Sequence, residues 1–169
     1  MKRNLLAIFF LLCLAACHPT PVTFSNTDLT GASFGRQFSL SDHNGQRRTL
    51  ADFSGKVVVI FFGYTSCPDI CPTMLSRLAG VMTALGPQAE KVQVLFVTVD
   101  PERDSAERLK TFVPWFYPTF IGLRGDATET RVVSEEFRVF SARKEVGSQL
   151  GYLLDHSAGA YVFDPAGRL

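Results

Sequence analysis

Two runs in the body of the chain are apolar almost without interruption. They are Val57-Val58-Val59-Ile60-Phe61-Phe62 and Val92-Gln93-Val94-Leu95-Phe96-Val97-Thr98-Val99. Short apolar runs rich in β-branched and aromatic residues predict strands buried on both faces. Amphipathic stretches follow them. Thr73 to Leu85 reads as a helix stopped by Gly86-Pro87, and Ser105 to Val113 as a helix that Pro114 ends. Upstream, Phe38 to Ser41 and Arg47 to Leu50 flank His43-Asn44-Gly45-Gln46, and Asn44-Gly45 is a hairpin-turn signal. Downstream, Thr119 to Leu123 predicts a short strand and Asp126 caps a helix running to about Phe137. Val139 to Lys144 and Tyr161 to Phe163 predict further strands, with a turn at Asp164 to Gly167. Strands alternating with helices imply an α/β domain around a mixed, partly parallel sheet, with an N-terminal β-hairpin.

The N-terminus follows another pattern. Lys2 and Arg3 precede the apolar segment Leu5 to Leu14, and Leu14-Ala15-Ala16-Cys17 has the small residues of a processing site. About a dozen apolar residues fall short of the ~20 that a membrane span needs. A cysteine directly after such a site resembles the bacterial lipoprotein signal. That resemblance implies a signal peptide over residues 1–16 and a lipidated Cys17, with Cys13 lost in processing. Residues 17–33 would be a tether and residues 34–169 the folded domain. The mature protein would sit in the cell envelope, held to a membrane by acyl chains. Of the four cysteines, only Cys67 and Cys71 would then remain as thiols.

A formal net charge of +1 with mixed signs along the chain gives no basic stripe, which excludes nucleic acid as a partner. The 15 phenylalanines fall mainly in apolar runs and read as core. Trp115-Phe116-Tyr117 reads as core packing in preference to an exposed aromatic contact. His43, beside the hairpin turn, reads as solvated, and His18 as incidental to the tether.

Chemistry concentrates in Gly63-Tyr64-Thr65-Ser66-Cys67-Pro68-Asp69-Ile70-Cys71-Pro72, where a buried strand ends and a helix begins. Two thiols four residues apart at a helix start would share one face. They could close a disulfide, exchange one with a partner, or present two thiolates to one soft metal ion. The positive end of the helix would lower a thiol pKa there. Asp69, between them, is a helix-start carboxylate or a support for the site. Asp100 and Asp104 could pair for acid–base work, but Asp100-Pro101 closes a strand and Asp104 is placed to start a helix. Shaping the site's rim or meeting a partner suits them better. His156 alone would be an ordinary histidine.

Three segments, in order, resemble the Sco/SenC family of copper-delivery proteins for cytochrome c oxidase. They are Phe61-Phe62 with the cysteine segment through Pro72, then Val97-Thr98-Val99-Asp100-Pro101-Glu102-Arg103-Asp104, then Asp155-His156-Ser157 before a strand. The resemblance runs from about Phe34 to the C-terminus. It implies a thioredoxin-like fold, and copper, as Cu(I) or Cu(II), held by Cys67, Cys71 and His156. It also implies delivery to a copper-bearing oxidase subunit or another copper protein. Two thiolates and an imidazole suit copper or zinc, and a vacant fourth position permits ligand exchange with a partner. The alternative is a thiol–disulfide oxidoreductase that reduces a partner's cysteines. Three residues between the cysteines, where a thioredoxin motif has two, argue against it. A peroxidase is a weaker third reading. The family fold also continues past Gly167 with a strand and a helix. Their apparent absence predicts an unpaired sheet edge, lower stability and self-association.

Overall fold

The computed structural model describes residues 25–147 and 151–169. The signal segment, Cys13, Cys17 and His18 lie outside the described residues. In chain order the elements are β1 (Ser39–Asp42), β2 (Arg47–Thr49), β3 (Val57–Gly63), α1 (Ile70–Leu85), β4 (Val92–Thr98), α2 (Ala106–Phe116), β5 (Ile121–Arg124), α3 (Ala127–Glu136), β6 (Ser141–Glu145), β7 (Tyr152–His156) and β8 (Ala160–Phe163). Short 3-10 turns at Leu50–Phe53 and Gly86–Lys91 were not foreseen. Among the described residues no helix is long and apolar enough to cross a membrane.

The two apolar runs lie side by side at the centre of the sheet. β3 and β4 pair in parallel from Val57 opposite Val92 to Gly63 opposite Thr98, and β4 pairs in parallel with β5. β8 adds antiparallel to the far side of β3, and the β1–β2 hairpin joins antiparallel through β5. The strand order is β2-β1-β5-β4-β3-β8, the mixed sheet expected of an α/β domain. Ile60, Phe61, Phe62, Val94, Leu95 and Phe96 are all buried. Each such side chain taken from water contributes about 1.5–3 kcal/mol. α1 adds a helical stripe of Cys71, Leu75, Leu78 and Met82 to this core.

Several local expectations change. α1 begins at Ile70 rather than Thr73, because Pro72 falls in the first turn, where its missing N–H costs nothing. α2 runs through Pro114 to Phe116. The proline sits in the last turn, and Phe112 and Phe116 pack against each other with centroids 5.2 Å apart. Trp115 is 79% exposed and leans on Phe116, so it is not core. His43 is half-buried and hydrogen-bonded rather than simply solvated. Its Nδ1 accepts from the Gly122 N–H at 3.1 Å, and burial holds its pKa below the ordinary histidine value. The hairpin turn forms as expected, with Gly45 at φ 83°.

The strand expected at Val139 to Lys144 forms two residues later and does not join the main sheet. β6 pairs antiparallel with β7 in a separate two-stranded ribbon, Ser141 opposite His156 and Glu145 opposite Tyr152. No element was expected at β7. The β8 turn closes as expected, with the Gly167 N–H on the Asp164 carbonyl. Leu169 packs against the core, and a Cβ on Gly35 would lie 3.2 Å from its Cδ2.

Candidate metal centre

β3 delivers its C-terminal residues to the edge of the core, where the chain must turn before α1. Gly63 marks the spot. A Cβ there would lie 2.8 Å from the Cys71 sulfur and 2.9 Å from Phe96 Cε2. Real side chains do not approach so closely, so only glycine lets the thiol rest on the end of the strand. The Cys67 N–H then bonds back to the Tyr64 carbonyl at 3.2 Å, reversing the chain. Cys67 therefore lies in the turn before the helix, not on a helix face as expected. Its sulfur accepts from the Cys71 N–H at 3.5 Å, near one of the helix's unpaired donors. Asp69 holds the N-cap position, exposed and without a side-chain cap bond.

His156 comes from β7. Its Nε2 is 3.3 Å from the Cys71 sulfur, and its Nδ1 is 2.9 Å from the Ser157 carbonyl. A carbonyl only accepts, so Nδ1 carries the proton and Nε2 turns its lone pair to the thiol. The ring meets Tyr64 edge-on at 5.7 Å and Phe61 at 6.3 Å. The Cys67, Cys71 and His156 ligand atoms all lie within 4.8 Å of one another. Metal bonds of about 2.0–2.3 Å place the donors of a trigonal ion roughly 4 Å apart, a spacing that atoms within 4.8 Å of one another reach with small shifts.

Both cysteines are free and buried, Cys71 at 0% exposure. The helix start does not lower the Cys71 thiol as expected. Burial pushes its pKa far up, outweighing a backbone hydrogen bond that favours the thiolate. Cys71 is thus a neutral thiol at pH 7 until something replaces its proton. A soft cation does so, because thiolate ligation releases the proton.

The acidic residues support this arrangement from below. Asp104 is 0% exposed and does not start the helix, a task taken by Ser105, whose Oγ accepts from the Arg108 N–H. Asp104 instead accepts from the Thr65 N–H at 3.0 Å, Thr65 Oγ1 at 2.5 Å and Thr98 Oγ1 at 2.6 Å. Asp100, also buried, accepts from Arg103 Nε at 2.5 Å and from the Tyr152 hydroxyl at 2.8 Å. Neither carboxylate reaches the surface, so neither offers a partner a contact. Gly63, Tyr64, Thr65 and Arg103 lie in the family-like segments, but their roles depend on contacts with residues distant in sequence. Tyr152 had no signal beyond the unrecognised strand.

A model of the SCO1/SenC family matches residues 26–169. The chain belongs to the SCO1/SenC family. The mitochondrial SCO2 homolog of Danio rerio is 42% identical over 132 residues, 77% of this chain and 47% of that protein. The SCO2-like protein of Rickettsia felis is 37% identical over 135 residues, 79% of this chain and 66% of that protein. The chain spans about half the length of the mitochondrial relatives it matches. Bradyrhizobium japonicum ScoI, solved with copper bound, aligns at a TM-score of 0.75 and 40% identity, covering 80% of this chain and 86% of that one. Yeast Sco1 with copper bound aligns at 0.72 and 37%, covering 80% and 76%. The fold is accordingly the thioredoxin-like one.

The Gly63 contact generates a direct test. Gly63→Ala should destabilise the protein by about 1–3 kcal/mol, the usual cost of overpacking. It should also push Cys71 away from His156. Thermal melting and the copper stoichiometry of the variant check this. Unchanged melting and unchanged stoichiometry would mean that the thiol does not need the space.

Proposed function

We propose that this chain is a metallochaperone that binds copper through Cys67, Cys71 and His156 and delivers it to a cytochrome c oxidase copper centre. The observation that carries the reading is the 3.3 Å approach of the Cys71 sulfur to His156 Nε2, with Cys67 in the same cluster. Relatives solved with copper bound support it. Two soft thiolates suit Cu(I), and the imidazole suits Cu(II) as well. Three protein ligands leave room for a ligand from the acceptor, so the ion can pass by exchange. A dithiol oxidoreductase has no need of an imidazole against its cysteines, yet His156 Nε2 stands 3.3 Å from the Cys71 sulfur. That favours cargo binding over disulfide exchange as the main activity.

In the same reading, the acceptor is the copper-bearing oxidase subunit or another copper protein. The protein works in a bacterial envelope, anchored through an acylated Cys17. The basic Lys2-Arg3, the apolar Leu5 to Leu14 and the small residues before Cys17 support that placement.

Reduced protein should take up one copper ion per chain. Cys67→Ser or Cys71→Ser should abolish tight uptake. His156→Ala should weaken it by more than about tenfold, since even partners of metal ligands are worth 10–100-fold. A verified Cys67–Cys71 disulfide form should take up no Cu(I) until reduced. Competition titrations with a copper chelator measure all of these. Wild-type affinity in His156→Ala, or equal uptake by the oxidised form, would defeat the three-ligand site.

The anchor is checked separately by mass spectrometry of the mature N-terminus, which should begin at an acylated Cys17. A mature chain beginning elsewhere would overturn the anchor without touching the copper site.

A further inference from the structure

The β6–β7 ribbon shares no strand pairing with the six-stranded sheet. Every residue of β6 is exposed or half-buried, and Tyr152 is the buried residue of β7. A lone two-stranded ribbon is marginal in water, so this one needs attachments to hold its shape and place. The alternation of a strand puts Tyr152, Leu154 and His156 on one face, toward the body of the protein. All three residues attach the ribbon to the body, Tyr152 and His156 through their side chains and Leu154 through its backbone N–H.

At the first of these, Tyr152 donates its hydroxyl to Asp100 Oδ1 at 2.8 Å, and its backbone carbonyl accepts from Arg103 Nη1 at 2.9 Å. Its ring lies 3.6 Å from the Arg103 guanidinium carbon and 3.7 Å from that of Arg143. Arg103 in turn donates to Asp100 Oδ2. Tyr152, Asp100 and Arg103 thus close a buried ring of contacts at the exit of β4. Leu154 makes the second attachment, its N–H donating to the Tyr64 hydroxyl at 3.2 Å. The register explains why that N–H is available. Val146 donates to Gly151, so bonded pairs alternate from there and Leu154, opposite Arg143, points its N–H away from β6. His156, four residues and about 13 Å along the strand from Tyr152, makes the third against Cys71.

We propose that Tyr152 is a positioning residue for His156. It latches the ribbon to the body through Asp100 and Arg103 and so determines whether the imidazole stands over the two cysteines. The exposed Arg143–Glu102 pair at 3.7 Å adds little by itself. The latch lies in the first residue of β7 and the ligand in its last, so loosening one moves the other while the cysteines stay with β3 and α1. The copper consequence rests on the function proposed above; the latch itself does not.

Two measurements test it on the full chain. In reduced, metal-free protein, hydrogen exchange at the Leu154 amide reports how often the ribbon lifts from Tyr64. Tyr152→Leu removes both the hydroxyl bond and the aromatic face. It should accelerate that amide by about tenfold or more, with β3 and β4 amides unchanged. Tyr152→Phe keeps the ring between the two guanidinium groups and should accelerate it only severalfold. In Cu(II)-loaded protein, the nitrogen hyperfine signature present in wild type and absent from His156→Ala should be lost in Tyr152→Leu and largely retained in Tyr152→Phe. An unchanged Leu154 amide in Tyr152→Leu, or a full wild-type copper signature in that variant, overturns the proposal. If Tyr152→Leu unfolds, Tyr152→Phe decides, and an unchanged Leu154 amide there counts against the latch. Identical copper signatures in wild type and His156→Ala would instead sink the three-ligand reading, while the exchange result still decides the latch.

Discussion

The buried carboxylate of Asp104 ties the exit of β3 to the end of β4, and the cysteine loop is built on that tie. A carboxylate out of water is costly unless its oxygens are bonded. Here three donors reach it, the Thr65 N–H and the hydroxyls of Thr65 and Thr98. Arg108 lies 3.9 Å away and also donates to Thr65 Oγ1 and Ser66 Oγ, bracing the same loop from outside. Thr65 therefore cannot drift, and the turn that follows brings Cys67 back over Tyr64. Gly63 leaves the space into which the Cys71 sulfur fits. Removal of any one of these features would leave both cysteines in the chain but would no longer set them side by side.

The candidate metal centre thus has two parts attached to the fold in different ways. Cys67 and Cys71 belong to the junction of β3 and α1, packed among Phe61, Phe96 and Leu75 in the main core. His156 belongs to a ribbon attached by side-chain hydrogen bonds and guanidinium–aromatic contacts. Under the proposed function, holding an ion and then surrendering it, this division would be useful. The thiol pair would retain a soft cation, while the imidazole would be released if the ribbon lifted. Opening a ribbon of this kind requires no disruption of the six-stranded sheet.

Much of this was legible in the chain because it is local. Val57 to Phe62 and Val92 to Val99 declare buried strands by composition, and both form where expected. The cysteine segment lies at a strand end because an apolar run stops there. Other features depend on contacts distant in sequence. Tyr152-Leu153-Leu154-Asp155-His156 lacks clean alternation, and β7 takes shape only by pairing with β6. Tyr152 acquires its role from Asp100 and Arg103, some fifty residues earlier. The carboxylates misled for a similar reason. Asp104 stands one residue before the true cap and looks like a helix start, yet its partners are on β4 and in the β3 exit loop. The rule that a helix start lowers a thiol pKa was sound, but at Cys71 burial is the stronger effect. Trp115 was assigned to the core by its aromatic neighbours, whereas its place on the outer face of α2 exposes it.

The central claim is that one copper ion is held jointly by the thiol pair and by the histidine of the ribbon. X-ray absorption at the copper edge of the reduced, Cu(I)-loaded protein tests it most directly, because it counts ligand types around the ion. Two sulfur scatterers and one imidazole nitrogen with its outer-shell ring signature are expected. A first shell of sulfur alone, with no imidazole signature, would contradict it.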